Sequence, residues 1–161
     1  MSRTQNNKLY ICQDRLWRKN RVPNILCHGV DCNRNFDSDF GGAGSSNNPC
    51  SDYYSGESAF SERESQAVRG SIEALPDVRM YFSLHSYAQL WLTSYGYTEQ
   101  LPANYDEQYR VAGVSVRALE AVHGTKYNYG SLANVVCKFF PLSLVISSLL
   151  LHLPIFLCLG T

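Results

Sequence analysis

The chain has 161 residues, and its 14 Lys and Arg residues are balanced by 14 Asp and Glu residues. This length suits one ordinary domain, and the sequence lacks the clustered basic charge typical of nucleic-acid-binding domains. Six cysteines are present, but none forms a CxxC pair or has zinc-finger spacing to a histidine. We therefore expect neither a nucleic-acid partner nor a structural zinc module.

The first half of the chain predicts a long loop followed by a helix. Residues 22–57 are rich in Gly, Ser, Asn, Asp and Pro, and loops of this kind often carry binding residues. Residues 61–75 predict a helix, because Ser61 and Glu64 have the spacing of a capping box and apolar residues recur at helical spacing. Pro76 is expected to end this helix.

A strand and a second helix are predicted next. Residues 79–85 predict a strand with large side chains on both faces, which is typical of a sheet covered on both sides. His85 would lie at its carboxyl end, where α/β sheets bind ligands. Residues 104–123 predict the longest helix, with Asn104 and Glu107 forming a cap at its start and Gly124 ending it.

The last part of the chain is almost wholly apolar. Residues 139–160 contain no Lys, Arg, Asp or Glu, and about 20 apolar residues can span a bilayer as a helix. Three interpretations stay open. The first is a membrane span or a lipid-anchor signal, and the second is a buried core element. The third is a tail made by a truncated or misjoined reading frame.

Three short segments contain side chains suited to binding a carboxylate or a metal. Asn33 and Arg34 combine an amide with a guanidinium, which suits a free carboxylate, although a solvated arginine paired with a neighbouring aspartate is the alternative. Arg18 either stabilises an oxyanion or belongs to a basic surface strip. His85 is either a zinc ligand or a hydrogen-bonded structural histidine. Taken singly, each segment is more often structural.

Together, these segments resemble the pancreatic-type metallocarboxypeptidases of peptidase family M14. The matching segments are DRLWRKNR at 14–21, GVDCNRNFD at 29–37, NPC at 48–50 and SLHSYAQ at 83–89, and residues 123–131 extend the match. The resemblance covers about residues 11–136. It implies an α/β fold with a mixed sheet and helices on both faces, truncated at both ends. Residues 1–136 would form a partial catalytic domain, and residues 137–161 an apolar tail outside it.

The resemblance also implies roles for individual residues. Arg18 matches the arginine that polarises the scissile carbonyl. Asn33 and Arg34 match the pair that holds the terminal carboxylate of the substrate. His85 matches the zinc ligand that is distant in sequence from the other two.

Further family features fall on four more residues. Ser86 and Tyr87 match residues that line the outer substrate subsites. Cys27 and Cys50 match a family disulfide. Cys32 has no counterpart in that disulfide, and we expect it to be free.

The function implied by the resemblance is that of a secreted, zinc-dependent metallocarboxypeptidase, which releases C-terminal amino acids from peptides or proteins. The family takes its first two zinc ligands from an HxxE motif and its catalytic glutamate from the C-terminal third, and the sequence contains no counterpart of either. We expect one of three zinc ligands, weak zinc binding and no peptide hydrolysis by the isolated chain. The alternatives are a non-catalytic module that binds peptide C-termini and a protein attached to a membrane through residues 139–160.

Overall fold

The computed structural model describes residues 16–86, 88–139 and 154–159, without the side chains of residues 86, 137–139 and 154–159. Within these ranges the regular elements, in chain order, are a 3₁₀ turn (Cys32–Arg34), helix α1 (Arg63–Glu73), strand β1 (Tyr81–Ser86), strand β2 (Leu90–Thr93), helix α2 (Tyr105–His123), strand β3 (Asn128–Ser131), helix α3 (Leu132–Phe139) and strand β4 (Pro154–Leu159). The long loop predicted over residues 22–57 is confirmed, with the 3₁₀ turn inside it.

The four strands form one mixed sheet in the order β1-β4-β2-β3. Strand β4 is parallel to β1 and antiparallel to β2, whereas β2 and β3 are parallel. Only residues 87–89 connect β1 to β2, and so short a connection commonly produces a hairpin of adjacent strands. Here β4 lies between them, which places His85 opposite Cys158 in the register.

Strand β2 carries a buried core on each of its two faces. Leu90 and Leu92 pack against α3 through Leu132. Trp91 points to the opposite face and packs against α2 through Ala112. Because side chains alternate along a strand, the two helices cover opposite faces of the sheet. The predicted α/β fold with helices on both faces is therefore confirmed.

Helix α1 exists, but its predicted start is wrong. The helix begins at Arg63, and its N-cap residue Glu62 makes no side-chain capping bond. Ser61 Oγ donates instead to Glu62 Oε1 at 2.8 Å, so the predicted reciprocal pair of Ser61 and Glu64 does not form. Leu75, the last residue of the predicted helix, lies beyond its observed end and is exposed.

Strand β1 does not have both faces covered by the residues that the structure describes. Phe82 and Leu84 are 47% and 65% exposed. Phe82 makes an edge-to-face contact with Trp91, with ring centroids 5.7 Å apart. The strand itself is confirmed, but its outer apolar side chains lie at the surface of the described structure.

Helix α2 has the predicted bounds, and only some of its apolar residues at helical spacing pack on the sheet, Val111 and Leu119 among them. Gly124 ends it in the left-handed conformation with φ +71°, as the sequence predicts. Asn104 occupies the N-cap position without a side-chain capping bond, so the predicted cap interaction is absent. Val114 and Val122 are exposed, whereas Val116 packs on the sheet. The apolar pattern identified the helix, and the position of the sheet decided which face is buried.

The apolar segment at residues 139–160 lies mostly outside the described residues. Its described part is Phe139, which ends α3, and strand β4, which is paired on both sides. Among the described helices, none is both long and apolar enough to cross a membrane. The predicted boundary after residue 136 stays a prediction, and α3 runs across it.

Candidate functional site

The 3₁₀ turn holds Asn33 and Arg34 in a segment that is capped by Asp31. Asp31 Oδ1 accepts a hydrogen bond from the backbone N–H of Asn33 at 3.1 Å, and the Asp31 carbonyl accepts one from the N–H of Arg34 at 2.8 Å. An aspartate that bonds the amide two residues on is a common local device for starting a turn. The direction of the Asn33–Arg34 pair is thus set by its own neighbour in sequence.

Arg34 is a buried cation, and one of its guanidinium nitrogens makes no hydrogen bond to a described residue. The residue is only 2% exposed. Its Nε donates a hydrogen bond to the Gly44 carbonyl at 2.9 Å, and its Nη1 donates one to the Asn33 carbonyl at 3.1 Å. Nη2 is also buried, and no described residue accepts a hydrogen bond from it. Burial lowers the pKa of Arg34, although a guanidinium keeps its charge in proteins. A buried donor without a partner is costly, so this geometry favours an external acceptor.

Arg18 is held by the other oxygen of the same aspartate. Its Nε and Nη2 lie 2.9 Å and 2.8 Å from Asp31 Oδ2. The Asp31 side chain is 4% exposed and the Arg18 side chain 37%, so a buried carboxylate anchors a partly exposed guanidinium. Asp31 therefore joins the Arg18 segment to the turn that carries Asn33 and Arg34.

The ring of Tyr53 stands beside both guanidinium groups. The Cζ atoms of Arg18 and Arg34 lie 5.3 Å and 5.9 Å from its centroid. Aromatic faces attract cations at this distance. The two arginines, separated by sixteen positions along the chain, therefore share one aromatic neighbour.

His85 lies near the carboxyl end of β1, where the positive charges of Arg18 and Arg34 act on it. Its Nε2 is 2.9 Å from Ser83 Oγ. Burial, and then the positive charges of Arg18 and Arg34, lower the pKa of His85 below its ordinary value. The neutral imidazole is the form that binds metals, so this environment suits a ligand. The two loop arginines and the strand histidine, predicted from separate segments, are thus close enough for the positive charges to act on the imidazole.

The loop that carries the turn is cross-linked at its end. Cys27 and Cys50 form a disulfide with their Cα atoms 5.1 Å apart, and Cys32 is a free thiol. The buried Lys19 donates through Nζ to the carbonyls of Pro49 at 2.6 Å and Ser51 at 3.2 Å. The disulfide implied by the resemblance and the free Cys32 are therefore confirmed, and Lys19 holds the same stretch of loop through its hydrogen bonds.

Two predicted site residues have no described side chain. Ser86 ends β1, and Tyr87 lies outside the described residues. The described part of the chain contains no group of three or more His, Cys, Asp and Glu side chains able to hold a metal ion. His85 is therefore a single candidate ligand here, and these residues do not by themselves form a zinc site.

Two residues of the site were missed or misplaced by the sequence interpretation. The sequence interpretation offered a neighbouring aspartate as the partner of a solvated Arg34, whereas Arg34 is buried and Asp31 pairs with Arg18. The spacing of an aspartate two residues before Asn33 was a usable signal for the turn. Tyr53 was not singled out, and nothing local distinguishes it from the adjacent tyrosine.

Comparison with known proteins identifies the family. The model of the zinc carboxypeptidase family, Peptidase_M14, matches residues 1–141. The chain belongs to the zinc carboxypeptidase family. Carboxypeptidase A1 of Sus scrofa is 40% identical over 126 residues, which cover 77% of this chain and 30% of that protein. Carboxypeptidase B of Astacus astacus is 42% identical over 127 residues, which cover 76% of this chain and 42% of that protein.

Solved structures agree with this membership. Thrombin-activatable fibrinolysis inhibitor superposes with a TM-score of 0.80 at 30% identity, over 91% of this chain and 38% of that one. Carboxypeptidase A from Helicoverpa armigera superposes with a TM-score of 0.73 at 34% identity, over 86% of this chain and 34% of that one. The carboxypeptidase-like fold is confirmed, and the chain spans less than half the length of these relatives.

Proposed function

We propose that this chain is part of a secreted zinc metallocarboxypeptidase and that its described residues bind the free carboxylate at the C-terminus of a peptide or protein. The observation that carries the proposal is the buried guanidinium of Arg34, whose Nη2 has no acceptor among the described residues. A carboxylate is the acceptor best matched to a guanidinium in charge and geometry.

Neighbouring groups support the same ligand. Arg18, fixed by Asp31, is partly exposed and provides a second cation near Arg34. In the proposed assignment Asn33 adds an amide donor to the terminal carboxylate, and Arg18 stabilises negative charge on the carbonyl oxygen of the scissile bond. Ser86 and Tyr87 are proposed to line outer substrate subsites, as the family match implies.

Zinc is the cofactor expected from the family. Catalytic zinc sites use three protein ligands with one open position, where the metal activates water and polarises a carbonyl. Within the described residues the match supplies one candidate, His85, and no cluster completes the set. We therefore assign no step to the metal and expect the isolated chain to bind peptide C-termini without hydrolysing them.

A pair of otherwise identical peptides tests the carboxylate site directly. One peptide ends in a free carboxylate and the other in an amide, and their affinities for the full chain are compared by calorimetry. We expect the free acid to bind at least about tenfold more tightly, because the amide removes a charge-assisted interaction of about 1.5–3 kcal/mol. Equal affinities would reject the proposal.

Two variants connect the preference to Arg34. Arg34→Met should abolish the preference for the free acid. It also leaves the Gly44 and Asn33 carbonyls without the Arg34 donors, so its folded fraction is measured by thermal unfolding alongside. Arg79→Met is the matched control, because the Arg79 side chain is 84% exposed and forms a surface ion pair with Asp77. This control should leave the preference intact.

A hydrolysis assay separates the enzyme from the non-catalytic alternative. The same peptides are incubated with the chain, with and without added zinc, and released amino acids are measured. Binding of the free acid without release, in both conditions, is expected for this chain. A longer form of the protein that supplies an HxxE motif and the downstream glutamate should release the terminal residue, whereas a dedicated binding module would remain inactive in every form.

A further inference from the structure

Asn35, directly after the Asn33–Arg34 pair, has a fully buried amide. It is 0% exposed. Its Nδ2 donates to the carbonyls of Ser55 at 2.8 Å and Ser58 at 3.0 Å and to Ser61 Oγ at 2.8 Å. Two N–H groups thus meet three acceptors, all of which lie on the loop that precedes α1.

The side-chain oxygen and the backbone groups of Asn35 are hydrogen-bonded as well. Oδ1 accepts from the backbone N–H of Glu62 at 3.0 Å and from Ser65 Oγ at 2.5 Å. The backbone carbonyl accepts from the N–H of Phe60 at 2.7 Å, and the backbone N–H donates to the Cys32 carbonyl at 3.3 Å. One residue therefore joins the 3₁₀ turn both to the loop and to the start of α1.

The surrounding backbone is shaped around this amide. Gly56 has φ +92°, and a Cβ added there would lie 2.8 Å from Asn35 Nδ2 and 2.6 Å from Ser61 Oγ. A side chain at this position would be both strained and too close. The loop thus approaches Asn35 at a distance that only glycine permits.

The hydrogen bonds of Arg34 are more local along the chain than those of Asn35. Its backbone and side-chain bonds reach Asp31, Asn33 and Gly44, all within ten positions of Arg34. The bonds of the Asn35 side chain reach positions 20 to 30 residues further along the chain. Asn35 therefore connects the turn to the loop before α1 and to the start of that helix, neither of which accepts a hydrogen bond from Arg34 within the described part of the chain.

We propose that Asn35 is a positioning residue for the carboxylate site, an inference that rests on the proposed function. Its amide holds the turn so that Asn33 and Arg34 present their donors to a peptide C-terminus. Only a group with both a donor and an acceptor satisfies these partners. A carboxylate of the same shape loses both donors and sets negative oxygens against the Ser55 and Ser58 carbonyls.

Asn35→Asp tests this role with a readout that stability alone does not move. The measured quantity is the affinity ratio between the free-acid peptide and its amide, determined on the full chain. A purely structural defect lowers the folded fraction and weakens both peptides equally, whereas a displaced Arg34 lowers the ratio. We expect the ratio to fall at least about tenfold, the effect of one lost buried hydrogen bond to a charged group.

Asn128→Asp is the matched control, because it makes the same chemical change at an exposed position on β3. It should leave the ratio unchanged. If Asn35→Asp does not fold, Ser65→Ala replaces it, because this variant removes one donor to Asn35 Oδ1 and should give a smaller fall in the ratio.

The outcomes separate the two proposals. If the unmodified chain shows no preference for the free acid, the proposed function fails and the role of Asn35 falls with it. If the unmodified chain shows the preference and folded Asn35→Asp, or Ser65→Ala in its place, retains it fully, the positioning role is overturned and the function stands. A fall in the ratio with an unchanged control supports both.

Discussion

The contact between Asp31 and Arg18 offers a test of how the site is held together. Asp31→Asn keeps the shape of the side chain, and Oδ1 can still accept the bond from the N–H of Asn33. The change removes the negative charge that faces Arg18 Nε and Nη2 at 2.9 Å and 2.8 Å. It therefore isolates the ion pair from the cap of the 3₁₀ turn.

The magnitude follows from the unequal exposure of the two side chains. Breaking a fully buried pair costs about 3–5 kcal/mol, whereas exposed pairs contribute about 0.2–1 kcal/mol. The Asp31 side chain is 4% exposed but that of Arg18 is 37%, so solvent screens the cation and an intermediate value applies. We expect a loss of about 2 kcal/mol, which lowers Tm by about 4–8 °C for a chain of this length.

A double-mutant cycle measures this interaction. Urea unfolding is compared for the unmodified chain, Asp31→Asn, Arg18→Met and the double variant. The coupling energy should lie at about 1–2 kcal/mol, and it should decrease only modestly with salt because the carboxylate is buried. A coupling energy within about 0.3 kcal/mol of zero would refute the structural role given to Asp31.

Three further predictions concern the same loop. Replacing both Cys27 and Cys50 by serine opens a link of sequence separation 23 and should destabilise the chain by about 3 kcal/mol in urea unfolding; unchanged stability would contradict the disulfide. Burial, with smaller contributions from nearby carboxylates, raises the pKa of Cys32 from 9.0 to about 12. The folded thiol then holds its proton more tightly than the unfolded one, so stability should fall as pH rises from about 9 to about 12, and Cys32→Ala should reduce this slope. Identical slopes would refute it. Gly29→Ala should cost at least about 2 kcal/mol, because Gly29 has φ +82° and a Cβ would lie 2.0 Å from the Asn20 carbonyl oxygen. A neutral result in thermal unfolding would exclude that close approach.

The family-like segments were recognisable because each is short and its chemistry is local. Asn33 and Arg34 are adjacent, and His85 follows a run of alternating large residues that predicts a strand. Recognition of these segments gave the family and the pairing of Cys27 with Cys50. It did not give the partner of Arg18, because Asp31 lies 13 positions away along the chain. Only the fold of the loop brings the two charges together.

Secondary structure shows the same division. The helix over Tyr105–His123 and its end at Gly124 followed from periodicity and a single glycine. Its buried face did not, because Val114 and Val116 are equally apolar and only the position of the sheet distinguishes them. Strands β2 and β3, four residues each, are too short for a periodic signal and were not predicted.

By itself, the amino-acid sequence determined what depends on neighbours along the chain: the loop around the Asn33–Arg34 pair, the ends of α2, and the residue types of a carboxylate site. The tertiary structure alone decided what depends on distant partners. It buried Arg34 with one donor unused, enclosed the amide of Asn35 among residues 20 to 30 positions away, and placed β4 between β1 and β2. The physical reason is that burial and hydrogen-bond satisfaction are properties of packed surfaces, and no local pattern specifies which surfaces meet.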